Sequence, residues 1–262
     1  MGTGGARFVV ARQIRASGGM WWRFGATQIH VDPGPGALVR ALSHVPPCEP
    51  AHLDGIIVSH KHLDHAGDVN AMIEAMSQGG WRPRGMILAP QDAFEGEPVI
   101  FPYLHRFVPR IEYLREHGGP YVIGEVEIRA SIRHSHRVET YGLHALHRRA
   151  DGSELRLSYL PCTRYFEGLI ADYAAHRPDA LIVNVLRFRD EMDVDHLTYD
   201  HAREIFAAVR PRVAVMTHFG TRMLEQDPRA LARALEDELG LRVHAARDGW
   251  TLDLEAETAP AL

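Results

Sequence analysis

The sequence predicts an α/β fold on three observations: short apolar runs alternate with amphipathic stretches of helical period, 45% of the 262 residues are hydrophobic against 24% charged, and no linker rich in Ser, Gly or Pro divides the chain. Such alternation is the pattern of strands covered by helices. The composition is that of an ordinary globular protein with a sizeable core. Residues 1–262 are therefore expected to form one domain, with only the first six residues and Glu255 to Leu262 dispensable for packing.

In chain order, Phe8 to Ala11, Met20 to Phe24 and Gln28 to Val31 read as the first strands, each a short apolar run. Trp21 and Trp22 alternate across the second, so one faces the core and the other is exposed or covered by a neighbour. Ala37 to Leu42 reads as a first helix, Ile56 to Ser59 as a buried strand, Ala66 to Ser77 as a helix and Met86 to Ala89 as a strand. Gln91 to Tyr103, with Gly96 and several prolines, is an irregular loop, either overhanging a pocket or simply a surface connection. Strands follow at Tyr121 to Arg129, Gly142 to Leu146 and Leu155 to Leu160. Helices at Phe166 to Ala174, Tyr199 to Val209 and Pro228 to Leu239 are separated by strands at Ala180 to Val185 and Val213 to Thr217, and Trp250 to Leu254 is a closing strand.

A formal net charge of −5 argues against a broad nucleic-acid surface. Arg129, Arg133 and Arg137 keep small anionic substrates in view. Cys48 and Cys162 stand far apart in unlike contexts, so no disulfide framework is expected. Met1 to Gly5 lacks the basic and apolar regions of a signal peptide, and no run approaches the roughly 18 apolar residues of a membrane span. A cytoplasmic protein without membrane contact is expected, and assembly as a homo-oligomer is left open.

The most informative stretch is Ser59-His60-Lys61-His62-Leu63-Asp64-His65-Ala66-Gly67-Asp68, directly after Ile56-Ile57-Val58. Imidazole and carboxylate at a strand end suit borderline ions such as zinc. His60 and His62, two apart, point the same way in an extended turn and can hold one ion; Asp64 and His65, entering a helix, can reach a second. Gly67 is expected to let the chain turn tightly into that helix.

With this His-x-His-x-Asp-His loop the sequence resembles the metallo-β-lactamase fold superfamily. Asp32-Pro33-Gly34-Pro35-Gly36, Thr163-Arg164-Tyr165-Phe166-Glu167 and Thr217-His218-Phe219-Gly220 look like a branch of metal-dependent hydrolases similar to transfer-RNA 3′-processing nucleases and to cyclic phosphodiesterases of phosphonate metabolism. The resemblance implies a four-layer αβ/βα sandwich whose ligands converge from strand-end loops on one rim. It places His136 with His60 and His62 on a first ion, with His134 and His144 as rivals, and His218 with Asp64 and His65 on a second. Relatives carry a bridging aspartate where this chain has Cys162. A thiolate also binds zinc, so the alternatives are a dinuclear site with a sulfur ligand, a single occupied site, or a buried cysteine that holds nothing. Two zinc ions are expected, one being the alternative, and manganese and iron are compatible with the same donors.

The chemistry implied is hydrolysis of a small phosphodiester by hydroxide generated at the ions, with Asp64 orienting the nucleophile. His196, in Asp195-His196-Leu197-Thr198, looks like the family's His-Ser-Thr element and is a candidate general acid or oxyanion stabiliser; otherwise it caps the next helix, a task Thr198 can take. Arg164 is either an anion clamp or half of a structural ion pair. Asp32 is a candidate partner for a ligand histidine. No basic arm of the transfer-RNA-processing kind is inserted, so transfer RNA is not expected as a substrate. Lactone, thioester or amide hydrolysis on the same site is one alternative, and a metal-binding scaffold with degraded catalysis is another.

Overall fold

The computed structural model describes residues 1–189 and 194–258. Its first half opens with helix α1 (Phe8–Ala11) and strands β1 (Met20–Phe24) and β2 (Thr27–Val31), then α2 (Ala37–Ser43), β3 (Gly55–Ile57), α3 (Leu63–Ala66), α4 (Val69–Met76), β4 (Met86–Pro90) and β5 (Arg110–Leu114). Among the described residues these strands form one sheet in the order β1-β2-β3-β4-β5, antiparallel at β1/β2 and parallel thereafter.

The second half builds a sheet from β6 (Tyr121–Ile123), β7 (Val126–Arg133), β8 (Tyr141–Arg148), β9 (Glu154–Leu160), β10 (Ala180–Asn184), β11 (Val213–Thr217) and β12 (Arg242–Ala245). Four of these run as an antiparallel meander from β6 to β9, and β9 to β12 pair in parallel. Helices α5 (Leu169–Ala175), α6 (Tyr199–Val209), α7 (Thr221–Glu225) and α8 (Pro228–Leu239) connect them, and α9 (Leu254–Thr258) follows.

Three apolar layers account for the architecture. Ile29, Leu88, Ile128, Leu143 and Val215 pack between the sheets. Val69, Met72 and Ile73 of α4 cover the outer face of the first sheet, and Tyr173, Ile205, Phe206 and Leu235 cover that of the second. This is the expected αβ/βα sandwich. Trp22 is buried in the inter-sheet layer, whereas Trp21 packs on the outer side and donates Nε1–H to Gln28 Oε1 at 3.1 Å.

Several sequence expectations are corrected. Phe8 to Ala11 is a helical turn, because four apolar residues are too few to reveal a period. Arg110–Leu114 is an edge strand that the sequence reading did not assign. Trp250 to Leu254 is not a strand: Gly249 takes a positive φ of 72°, Trp250 turns back onto His244, and the edge is filled by Arg242–Ala245. Nor are the termini dispensable. Gly5 N–H donates to the Phe219 carbonyl and Phe219 N–H to the Thr3 carbonyl, at 3.0 and 2.8 Å. At the other end Arg242 pairs with Glu257 at 2.9 Å and Thr258 is buried, while 259–262 lie outside the described residues. Among the described residues no helix is long and apolar enough to cross a membrane.

Candidate metal centre

Both sheets contribute to one rim. After β3 the chain bends at Ser59, held by Val58 N–H on Leu88 O and Tyr141 N–H on Ser59 O, at 2.9 and 3.2 Å. His60 and His62 follow before α3 starts, and α3 carries Asp64 and His65. From the other sheet come His136 after β7, Cys162 after β9, and His218 after β11.

Two donor clusters result. His62 Nδ1 lies 3.1 Å from His136 Nε2, and the His60 ring stands 4.9 and 5.1 Å from those of His62 and His136. Beside them His65 Nε2 is 3.0 Å from His218 Nε2, and Asp64 Oδ2 is 3.1 Å from the same His218 nitrogen. Cys162 Sγ sits 3.5 Å from His65 Nε2 and 3.6 Å from His218 Nε2, and also converges with His60. The sulfur therefore stands between the clusters. His60, His65, Cys162 and His218 are the buried floor, while His62, Asp64 and His136 are half-buried and line the opening.

These residues fit divalent ions. His60 Nε2 is buried without a hydrogen-bond partner, and imidazole nitrogens face each other at 3.0 to 3.1 Å. Such spacings are close to the roughly 3.3 Å edge of a tetrahedron built on zinc–nitrogen bonds of about 2.0 Å. The tautomers agree. Ser59 hydroxyl donates to Asp32 Oδ2 at 2.7 Å, so its lone pair accepts His60 Nδ1–H at 3.0 Å; His65 Nδ1–H donates to Asp32 at 2.8 Å and His136 Nδ1–H to the Asp195 carbonyl at 3.1 Å. All three rings are thus left with Nε2 lone pairs turned inward.

The electrostatics of the metal-free site divide the histidines into two groups: His60 and His136 are lowered, while His65 and His218 are raised and must give up a proton to a metal. Burial pushes His60 down to about 3, with the neighbouring His65 adding to the effect, and pushes His136 to about 4. At His218 burial is overridden by Cys162 and Asp64, which raise it to about 9. His65 is likewise raised, burial being outweighed by Asp64, Cys162 and Asp32. The Cys162 thiol is driven well below its ordinary value, because His218, His65 and His196 outweigh the opposing effect of burial. Cys162 is thus held as a thiolate, the form that ligates metal.

His196 lies over the opening between the clusters, its ring 5.3 Å from that of His136 and stacked at 6.2 Å on that of His218. Helix capping does not occupy it: Thr198 is the N-cap of α6, accepting from His201 N–H at 3.2 Å. Arg164 is exposed at the rim and pairs with Asp195 Oδ1 at 3.0 Å, the aspartate whose carbonyl orients His136. Of the rival histidines, His134 packs on Tyr173 (Nε2 to hydroxyl, 3.1 Å) and His144 sits on the outer face of β8 against Ser158. Strand alternation does not reach His136, since β7 ends at Arg133 after a register shift. Asp92, in the Gln91 to Tyr103 loop, ties that loop to the rim through Lys61 at 3.6 Å and Glu139 N–H at 3.2 Å.

Two residues of the site, Tyr159 and Asn184, escaped the sequence reading, which named Ser59 without giving it a role. Tyr159 donates its hydroxyl to Asp32 Oδ2 at 2.8 Å, Ser59 N–H donates to Asp32 Oδ1 at 2.6 Å, and Asn184 Nδ2 reaches Tyr159 Oη and Cys162 Sγ at 3.2 and 3.5 Å. Asn184 left one signal, as the polar residue ending the otherwise apolar strand Ala180–Asn184. Gly67 is needed for a different reason than expected: its φ is ordinary, but a Cβ there would meet Pro35 Cγ at 2.7 Å. Gly34 is tighter, since a Cβ would collide with the backbone carbonyl oxygens of Asp64 and Ser17. Backbone cannot yield as a side-chain tip does. Gly34→Ala is expected to displace the ligand loop and lower bound metal by at least half, read by elemental analysis of the folded variant; unchanged content would show that the loop tolerates the shift.

The model of the family described as Beta-lactamase superfamily domain matches residues 27–219. An uncharacterized protein of Methanocaldococcus jannaschii, MJ1374, is 28% identical over 260 residues, 97% of this chain and 93% of its own length. Among solved structures, the metallo-beta-lactamase fold protein YhfI from Bacillus subtilis superposes with a TM-score of 0.71 at 19% identity, covering 95% of each chain. Human tRNase Z, short form, gives 0.68 at 16% identity over 97% of each chain. A diphosphatase from the PhnP family gives 0.67 at 16% identity, covering 95% of this chain and 93% of that one.

Proposed function

This chain belongs to the β-lactamase superfamily as a metallo-β-lactamase fold hydrolase, and from that membership we propose that it cleaves a small phosphodiester with zinc held by His60, His62 and His136 on one side, by Asp64, His65 and His218 on the other, and by Cys162 between them. Bound ions would lower the pKa of water from 15.7 toward roughly 7 and neutralise charge growing on a phosphoryl oxygen. Asp64, half-buried beside His218, accepts a hydrogen bond from the attacking water and orients it. His196 hands a proton to the departing oxygen. Arg164, through Asp195, steadies His136 and adds positive charge at the mouth.

The observation that carries the reading is the position of His196, on a loop separate from the ligands, half-buried above the gap between the two clusters and with Nδ1 unpartnered. A leaving group expelled from that gap departs toward this ring. The fold's likeness to a tRNase and to a diphosphatase supports phosphoryl chemistry. The formal charge of −5 favours a small anionic substrate over transfer RNA. Both cysteines are free and buried, which suits the reducing cytoplasm.

Elemental analysis of purified protein is expected to give two zinc ions per chain, with turnover of bis-p-nitrophenyl phosphate exceeding that of lactone and thioester panels. Hydrolysis confined to the panels would move the reading to carbonyl substrates. One ion or none, with binding and turnover restored by Cys162→Asp, would make the native chain a metal-binding scaffold. His196→Ala is expected to lower kcat about a hundredfold on an alkyl phosphodiester and much less on the p-nitrophenyl ester, whose leaving group needs no proton. Equal losses on both esters would remove the acid role.

A further inference from the structure

A second group of metal donors stands on the opposite, helix-covered face of the second sheet. His144 points outward from β8 into the space under α5, where Asp172 and His176 meet it. Ligating atoms of the three side chains lie within 4.8 Å of one another. His144 is 95% buried at a relative exposure of 5%, and its Nδ1 is engaged by Ser158 Oγ at 2.8 Å. Its Nε2 has no hydrogen-bond partner, although Asp172 Oδ2 is 3.5 Å away. A buried imidazole nitrogen and a carboxylate facing each other at this long ion-pair spacing leave a gap that a cation bound by both would close.

The other members lie close. The His176 ring stacks on that of His144 at 3.6 Å and 13°, so it must turn out of the stack to aim a nitrogen at a shared ion, and His117 Nδ1 approaches the second Asp172 oxygen at 3.4 Å from the exposed side. Burial lowers both His144 and His176, the latter to about 4, so the rings are neutral and able to ligate. The positive charge facing the group is Arg129, paired across the sheet with His144; its guanidinium is turned to the Gly119 carbonyl at 3.4 Å.

We propose that His144, Asp172 and His176 form a structural zinc site, with His117 or water as the fourth donor. Zinc–nitrogen bonds of about 2.0 Å require donors roughly 3.3 Å apart, so the widest separation in the group must close by up to about 1.5 Å. Half-buried His176, just past the end of α5, supplies that movement. The ion would fasten the end of α5 to β8. Through Tyr173, whose hydroxyl meets His134 while His134 Nδ1 meets the Cys162 carbonyl at 3.3 Å, the clip also braces the loop that carries Cys162.

The test is zinc stoichiometry of the full chain after equilibrium dialysis against zinc, for wild type, His176→Ala and Asp172→Asn. His176 is half-buried, and Asp172→Asn, although its side chain is only 9% exposed, keeps the shape and an oxygen for Ile132 N–H, so both variants are expected to fold. Each variant is expected to hold one zinc fewer than wild type, and to lose part of the zinc-induced rise in Tm. Turnover at the primary centre should stay within twofold of wild type. The comparison is independent of how many ions that centre holds. Equal stoichiometry in all three proteins would overturn the proposal.

Discussion

Asp32→Ala is expected to destabilise the metal-free protein by about 4 kcal/mol, more than removal of a rim ligand such as His62. The carboxylate is 2% exposed and accepts from Ser59 N–H, Ser59 Oγ–H, His65 Nδ1–H and Tyr159 Oη–H, so its loss strands four donors in a site closed to water. Its backbone φ of 55° adds strain that only those bonds repay. Burial by itself would raise the Asp32 pKa; the His65 charge and hydrogen bond outweigh it, and the net shift is downward from 3.8. A carboxyl whose folded-state pKa is depressed stabilises fully above its unfolded value and loses that contribution as pH falls below it. Denaturant titration in the presence of a chelator should therefore show the wild-type advantage over Asp32→Ala at pH 7 and its erosion below about pH 4. A difference under 1 kcal/mol at pH 7 would mean that the network is not what holds the rim together.

Asp64→Ala is expected to lower kcat/KM on a phosphodiester about a thousandfold and to halve the bound zinc at the primary centre, while costing the metal-free chain less stability than Asp32→Ala does, as read by denaturant titration. The Asp64 side chain is 12% exposed and in the metal-free chain meets His65 and His218, fewer partners than the four donors gathered on Asp32, which is why its loss costs less stability than that of Asp32. Asp64→Asn separates its two tasks. An amide oxygen still reaches an ion but cannot hold the proton of an attacking water, so metal content should recover more than turnover. Wild-type turnover in either variant would remove Asp64 from the chemistry.

Local signals explain what could be seen without coordinates. His60, His62, Asp64 and His65 occupy six consecutive residues after a buried strand, so their convergence needed no knowledge of the rest of the chain. His218, directly after the apolar strand Val213–Thr217, entered the site through its likeness to the family's last histidine. His136 was reachable only through family likeness, because the register shift in β7 and the strand's end at Arg133 break the alternation on which a purely periodic argument depends. Asp32 was legible as a partner of a ligand histidine and meets His65, but that Tyr159 and Asn184 join it beside Cys162 from two other strand ends is a relation between distant residues that no local pattern carries. The fold followed the same divide. Long amphipathic helices such as Tyr199–Val209 and Pro228–Leu239 matched their expected bounds, whereas Phe8–Ala11 and Trp250 to Leu254 were too short for periodicity to decide between turn, helix and strand.

The ligands of both clusters come from loops of both sheets, with more than 150 positions separating Asp64 from His218. No early fragment of the chain can present the whole set, and the pocket closes only after β11 has docked. Ions captured there would bind late in folding, after a transition state that precedes that docking. Ions bound after the barrier leave the refolding rate almost unchanged and deepen the native well from which unfolding must climb. Metal bound at this rim would then act on the lifetime of the folded state rather than on the speed with which it is reached.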